Sequence, residues 1–226
     1  MQLSNSDIEH LYSAAVAGSA PARDAALIRA ALYWGFTATE LSSLQIAHVL
    51  DINGNWREKF LVPAGFGFNG LARSAWLRDP QMIEALDAWL DERNEKGWDC
   101  IEGKRYRGFD GKAPLFLNNQ GKPFAMTPRA PGSDDLLPSG MHRQLRELLD
   151  RAGLPDKSPQ VFRDTYIVQL WIRGLTRQQI SQLTGIRKAE TITRKIRHLL
   201  PEPADVFRDF LYRPVPQDAS VRIEKE

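Results

Sequence analysis

The sequence predicts a mainly α protein with a small antiparallel β-sheet inserted in its first half. Three observations carry this expectation. Residues 6–51 hold three runs with helical apolar spacing and helix-start signals. Residues 59–79 change to short β-rich runs around the Gly/Phe/Asn stretch FGFNG. From residue 139 onward the chain returns to amphipathic helical spacing.

In order along the chain, SDIEHLYSAAVAG pairs Ser6 and Glu9 at capping-box spacing and stops at Gly18. PARDAALIRAALYWG is a second helix, with Pro21 near its start, Gly35 at its end and a largely buried apolar set. TATELSSLQIAHVLD starts a third, with Thr37 and Glu40 again at capping-box spacing. KFLVPAG and ARSAWLRD read as paired strands. DPQMIEALDAWLDERNEKG is an amphipathic helix opened by Asp79 or Pro80 and closed at Gly97. APLFLNNQGKPF reads as a strand, a turn at Asn118–Gly121 and a return strand. TPRAPGSDDLLPSG is a loop by its Pro/Gly/Ser content. Helices are then expected near 139–152, 159–173, 176–184, 188–199 and 203–211, before an extended tail. There is no internal repeat, so one domain over 1–213 with a C-terminal tail over 214–226 is expected. Trp34, Trp76, Trp89 and Trp171 are expected in the core.

Composition excludes several classes. The chain is 42% hydrophobic and 26% charged, within the globular range. No apolar run is long enough for a membrane span, and the polar, acidic start lacks the basic and apolar regions of a signal peptide. The single cysteine, Cys100, offers no internal disulfide, and no Cys/His spacing suggests a metal site, so no cofactor, no metal and a cytoplasmic location are expected. Charge is unevenly spread. Residues 1–100 carry 8 Lys/Arg against 13 Asp/Glu, whereas residues 141–200 carry 12 against 5. A basic surface of that kind suits a polyanion, double-stranded DNA above all; its plainer reading is a solvated face.

The most basic stretch is RGLTRQQISQLTGIRKAETITRKIRHLL. Thr176 and Gln179 open a helix, Ile180, Leu183 and Ile186 are spaced inward, and Gly185 marks a tight turn. A second helix puts Ile192 and Ile196 inward, with Arg187 and Lys188 at its start and Arg194, Lys195 and Arg197 near its end. This is the sequence form of a helix-turn-helix, whose polar residues would face nucleic acid. Arg73, Arg143, Arg146 and Arg177 are further candidates for phosphate contact. In SPQVFRDTYIVQLWIRG, Arg163 opens a helix with an apolar face; it suits a bidentate phosphate contact or an ion pair with Asp164, Asp150 or Glu147.

These motifs, in this order, resemble the catalytic domain of tyrosine recombinases, the phage integrase family, from about Ser6 to Tyr212. YWGFTATELSSLQIAHVLD matches the family's Gly…Arg…Glu-Leu motif at Gly35, Glu40, Leu41 and Leu44, with Thr37 at the arginine position. FNGLARSAWL keeps Arg73 and Leu77 of an Arg-x-x-x-Leu strand, with Phe68 at the hairpin-lysine position. QVFRDTYIVQLWIRG keeps Arg163 and Thr165 of the His-x-x-Arg motif, with Gln160 at the histidine. LTGIRKAETI puts Ile186 at the histidine of Leu-Gly-His, and Lys195 falls at the nucleophilic tyrosine.

The resemblance implies a DNA-strand-exchange fold, attack of a phenol on a phosphodiester, and arginine, lysine or histidine groups that neutralise the pentavalent phosphate. With five of those positions substituted and Arg163 as the remnant, it implies loss of cleavage. The expectation is a catalytically inactive relative that binds duplex DNA as a regulator or accessory factor of a mobile element or phage. Its alternatives are an active recombinase with a displaced nucleophile, Tyr212 or less readily the core-spaced Tyr166, and a protein-interaction module. The resemblance further implies an N-terminal clamp domain, for which the chain is expected to lack room. It also implies a C-terminal segment that packs on a second copy or a partner recombinase, a role open to Arg213–Glu226.

Overall fold

The computed structural model describes residues 2–66, 72–132 and 136–200. Phe68, Tyr212, the helix expected over 203–211 and the boundary at 213 lie outside the described residues. Among those described, nine α-helices and two two-stranded antiparallel sheets alternate in the expected order.

Helix α1 (Asn5–Val16) is capped by Ser4, whose side chain accepts from the Asp7 amide while Asp7 accepts from the Ser4 amide. The reciprocal box therefore sits two residues before the Ser6–Glu9 pair that the spacing suggested. Helix α2 (Pro21–Trp34) ends at Gly35 in the left-handed conformation, φ 58°. The expected third helix is two pieces, α3 (Ala38–Ser43) and α4 (Ile46–Val49), with Leu44 extended between them. The break has a cause: Leu44 O accepts from the Leu115 amide at 2.7 Å, and the Ile46 amide donates to Ala113 O at 3.0 Å. Backbone groups drawn into that pairing cannot also close a helix.

Strands β1 (Lys59–Val62) and β2 (Arg73–Trp76) pair antiparallel, with Val62 opposite Arg73 and Lys59 opposite Trp76. Helix α5 (Pro80–Glu95) is capped by Asp79, which accepts from the Met82 amide at 2.8 Å. Of the hairpin expected over 113–124, the turn at Asn118–Gly121 is present, with the Gly121 amide on Asn118 O at 3.1 Å and an antiparallel bridge between Leu117 and Pro123, but the flanking strands are not formed; Ala113 and Leu115 pair with the α3–α4 link instead. The stretch read as pure loop carries a two-residue ladder, β3 (Thr127–Pro128) with β4 (Leu136–Leu137). Helices α6 (Ser139–Arg151), α7 (Gln160–Ile172), α8 (Arg177–Thr184) and α9 (Ala189–Ile196) follow, the last running into a 3-10 turn over Arg197–Leu199.

Two hydrophobic clusters hold these elements. The large one joins α1–α6, β1, β2 and the start of α7, with Trp34 and Trp89 fully buried. The small one joins Ile167 and Val168 of α7 to Ile180 of α8 and Ile192 and Ile196 of α9. Each such side chain contributes about 1.5–3 kcal/mol by leaving water. The α8–α9 hairpin is thus carried on the outer half of α7 by its own apolar seam. Trp76 departs from expectation: it is 40% exposed, on an edge of the sheet where Lys59 lies over its ring. Trp171 is half-buried against the small cluster.

Candidate nucleic-acid interface

The link between α2 and α3 positions the first group. Gly35 turns the chain, and Thr37 caps α3 by accepting from the Glu40 amide. That cap aims the Glu40 carboxylate inward, where it is 3% exposed. One carboxylate oxygen accepts from Arg73 Nε at 3.1 Å and Nη2 at 2.6 Å. The other accepts from the Thr37 amide at 2.7 Å, the Thr37 hydroxyl at 3.1 Å and Arg163 Nη1 at 3.3 Å. Arg163 also donates to Gly35 O at 2.8 Å and to Thr184 O, while Arg73 donates to Leu183 O and lies over the Phe36 ring. Burial pulls the Arg163 guanidinium below its ordinary pKa, and the Glu40 charge opposes that pull.

Arg163 therefore has an ion pair, but its partner is Glu40 and not Asp164, Asp150 or Glu147. Helix geometry explains the difference. Arg163 points back to the α2–α3 turn, while Asp164, the next residue on α7, is rotated by about 100° toward α9. There Asp164 accepts from Lys195 Nζ at 2.6 Å and from Gln160 Nε2 at 3.2 Å. The Lys195 side chain is 24% exposed and that of Asp164 9%. Ile186 is half-buried against the small cluster, its carbonyl held by the Ser181 hydroxyl. Tyr166 is half-buried against Gly35, and burial raises its phenol pKa while Arg73 and Arg163 oppose the rise.

The remaining basic candidates separate by exposure. Arg187, Lys188, Arg194 and Arg197 are exposed along the α8–α9 turn and α9. Of these, Lys188, Arg194 and Arg197 make no ion pair among the described residues, and Glu190 is the acidic residue of α9. Arg177 is half-buried at the start of α8. Arg143 pairs with Glu147 at 3.9 Å on α6. Arg146 pairs with Asp150 at 3.3 Å and donates to the carbonyls of Lys157 and Pro155. Structure thus brings Arg73 and Arg163 together around one carboxylate, and Arg187, Lys188, Arg194 and Arg197 onto one exposed segment. An open cleft of about 480 Å³ lies between β2 and α8, with Arg73, Ser74 and Arg187 among its lining. Sequence reasoning offered Asp164 as a partner of Arg163 and not of Lys195, and it took Glu40 for a cap and a motif match without its two arginines. Their long-range partners left no signal in local spacing. Among the described residues no His/Cys/Asp/Glu group could hold a metal, and no helix is long and apolar enough to cross a membrane.

Solved structures that superpose on this chain include recombinases and an integrase catalytic domain. XerA recombinase superposes with a TM-score of 0.64 at 22% identity, over 96% of this chain and 66% of that one. XerH site-specific recombinase, in a pre-cleavage complex with its difH substrate, gives 0.62 at 16% identity over 99% of this chain and 55% of that one. The catalytic domain of bacteriophage HP1 integrase gives 0.54 at 15% identity over 95% and 98%. The chain has the tyrosine recombinase catalytic-domain fold. It spans two thirds or less of the first two recombinases and nearly all of the isolated HP1 catalytic domain. No protein-family model and no curated protein sequence matches it. Within that fold, Gly35 to Thr37 form the α2–α3 turn, Glu40 and Leu41 lie on α3, and Arg163 lies on α7 facing the turn.

Proposed function

We propose that this protein binds double-stranded DNA through the α8–α9 segment and does not cleave it. It would act as a regulator or accessory factor of a mobile element or phage. The observation that carries the reading is the contrast between two sets of cations on one recombinase fold. Arg73 and Arg163, at positions matching the family's motifs, are buried and neutralised by Glu40. Lys188, Arg194 and Arg197 are exposed without an ion pair among the described residues. Uncompensated surface cations release counterions when a phosphate backbone approaches, which is the main source of sequence-independent affinity.

The chemistry at the matching positions supports silence. Thr37 spends its hydroxyl on the Glu40 carboxylate, and Ile186 is apolar. Lys195, at the nucleophile position by resemblance, holds its ammonium on Asp164 and is no phenol. Losing even one transition-state donor typically costs about 10²–10³ in rate. Tyr166 is a poor substitute, since burial disfavours its phenolate.

The test is a gel shift with duplex fragments at two salt concentrations, with the same mixtures run again under denaturing conditions. Salt-sensitive binding without a covalent adduct is expected. A protein–DNA adduct that survives denaturation overturns silence and points to a displaced nucleophile, Tyr212 first. Absent or salt-insensitive binding overturns the DNA-binding reading in favour of a protein-interaction module.

A further inference from the structure

We propose that Lys195 is a positioning residue for the DNA-binding face and not itself a phosphate contact. Through Asp164 it clamps α9 onto α7 and sets Lys188, Arg194 and Arg197 in the orientation that a duplex backbone meets. The proposal rests on the DNA-binding reading.

Three observations carry it. The Lys195 ammonium is 2.6 Å from a carboxylate that is 9% exposed, so one of its charge partners is inside the protein. Gln160 Nε2 holds the other oxygen of Asp164 at 3.2 Å, which fixes the carboxylate in place from the first turn of α7. And α9 is a short helix, Ala189–Ile196, whose buried residues are Ile192 and Ile196 alone. A helix of two turns is not stable by itself, so its orientation must come from its docking. Two isoleucines give area but little rotational definition, because an apolar seam tolerates sliding. A charged hydrogen bond from the same face adds direction. Arg194, one residue before Lys195, is rotated by about 100° from it, and Arg197 begins the 3-10 turn that continues from α9; both are exposed where Lys195 is half-buried. The clamp therefore determines where the exposed cations lie.

A direct-contact account and the positioning account give opposite signs for one substitution. Asp164→Asn keeps the shape of the side chain and removes the negative charge beside Lys195. If Lys195 contacted phosphate, that change would free its ammonium and tighten binding. If Lys195 positions α9, the change loosens the helix and weakens binding.

The experiment measures affinity of the full chain for a defined 30-base-pair duplex across a salt series, for wild type, Asp164→Asn, Lys195→Met and Lys195→Arg. Both Asp164→Asn and Lys195→Met are expected to weaken binding by about tenfold, as when the docked fraction of α9 falls to about a tenth. The salt slope should stay within about 0.3 of wild type, since no phosphate contact is lost. Lys195→Arg, which keeps a donor for Asp164, should restore most of the affinity. Circular dichroism establishes that each variant is folded, and Asp164→Asn, being isosteric, decides the matter if Lys195→Met is not. Tighter binding by Asp164→Asn, or a slope reduced by about 0.9 in Lys195→Met, overturns the clamp while leaving DNA binding intact. No affinity in wild type overturns the functional reading itself and the clamp's role with it.

Discussion

Replacing Glu40 by Gln should cost this protein a large part of its stability. The carboxylate is 3% exposed and accepts from Arg73 twice, from Thr37 twice and from Arg163 once. It is the counter-ion of both buried guanidinium groups. A glutamine keeps the shape but has one acceptor oxygen where there were two, and it turns an amide N–H₂ toward donors. One side of the cluster then faces a donor without an acceptor, and two buried positive charges lose their counter-ion. Breaking a buried pair in this way costs about 3–5 kcal/mol. For a chain of this length each kcal/mol lowers Tm by about 2–4 °C, so the expected fall is about 6–20 °C. Urea unfolding followed by tryptophan fluorescence measures it, with the m-value unchanged if the denatured state is unaffected. A second arm combines Glu40→Gln with Arg73→Met. The double variant should be less destabilised than the sum of the singles, because each removes the reason for the other. A Glu40→Gln cost under about 1 kcal/mol, or strict additivity in the cycle, would refute the claim that Glu40 compensates both arginines.

Three further outcomes are expected. Gly35→Ala should destabilise by about 2–4 kcal/mol, since φ is 58° and a Cβ would meet the Tyr166 ring; denaturant midpoints read this directly. Stability should fall as pH drops below the ordinary imidazole value of 6.5, because burial lowers the His48 pKa and its Nδ1 accepts from the Gln45 amide only when unprotonated. The unfolded chain then binds the proton more readily than the folded one, and His48→Gln should flatten the urea-midpoint profile between pH 7.5 and 5.5. On the proposed function, changing Lys188, Arg194 and Arg197 together to Ala should reduce the salt slope of DNA binding by about 2.7 while leaving stability within about 0.5 kcal/mol.

The helical half of the fold was legible because its signals are local. Helices α6 to α8 lie within a residue of their expected bounds, α9 ends three residues early where the chain passes into a 3-10 turn, and the Thr176 and Thr37 caps are where the spacing put them. The misreadings are long-range. The break at Leu44 and the diverted strand after Ala113 are two sides of one event, the pairing of Leu44 with Leu115 across 71 positions of sequence. Nothing within either segment announces the other. The site shows the same division. Exposure of Arg194 follows from the helical period that buries Ile192 and Ile196, whereas Arg187 and Lys188 are exposed just before α9 and Arg197 in the 3-10 turn after it. The partner of Arg163 could not follow from its neighbourhood, because Glu40 is 123 positions away.

The retention of Arg73 and Arg163 has a physical explanation that does not require them to touch phosphate. Glu40 is fixed by the cap of α3, and a buried carboxylate without cations would be costly in that place. Each arginine also ties down a carbonyl at the end of α8, Leu183 O for Arg73 and Thr184 O for Arg163, just before the left-handed Gly185. Those are the terminal carbonyls that a helix leaves without intrahelical partners. The pair thus joins the α2–α3 turn to the end of α8, and it is from that end that the chain turns into α9 and its exposed cations. Substituting either arginine by Met should release one carbonyl at the α8 terminus and leave Glu40 with a single guanidinium partner. Hydrogen exchange should then show protection lost at Gly185 and along α9, with the amides of α5 unchanged. Loss spread evenly over α5 and α9 would instead mean global destabilisation, and the join between the buried charge cluster and the basic segment would have no separate existence.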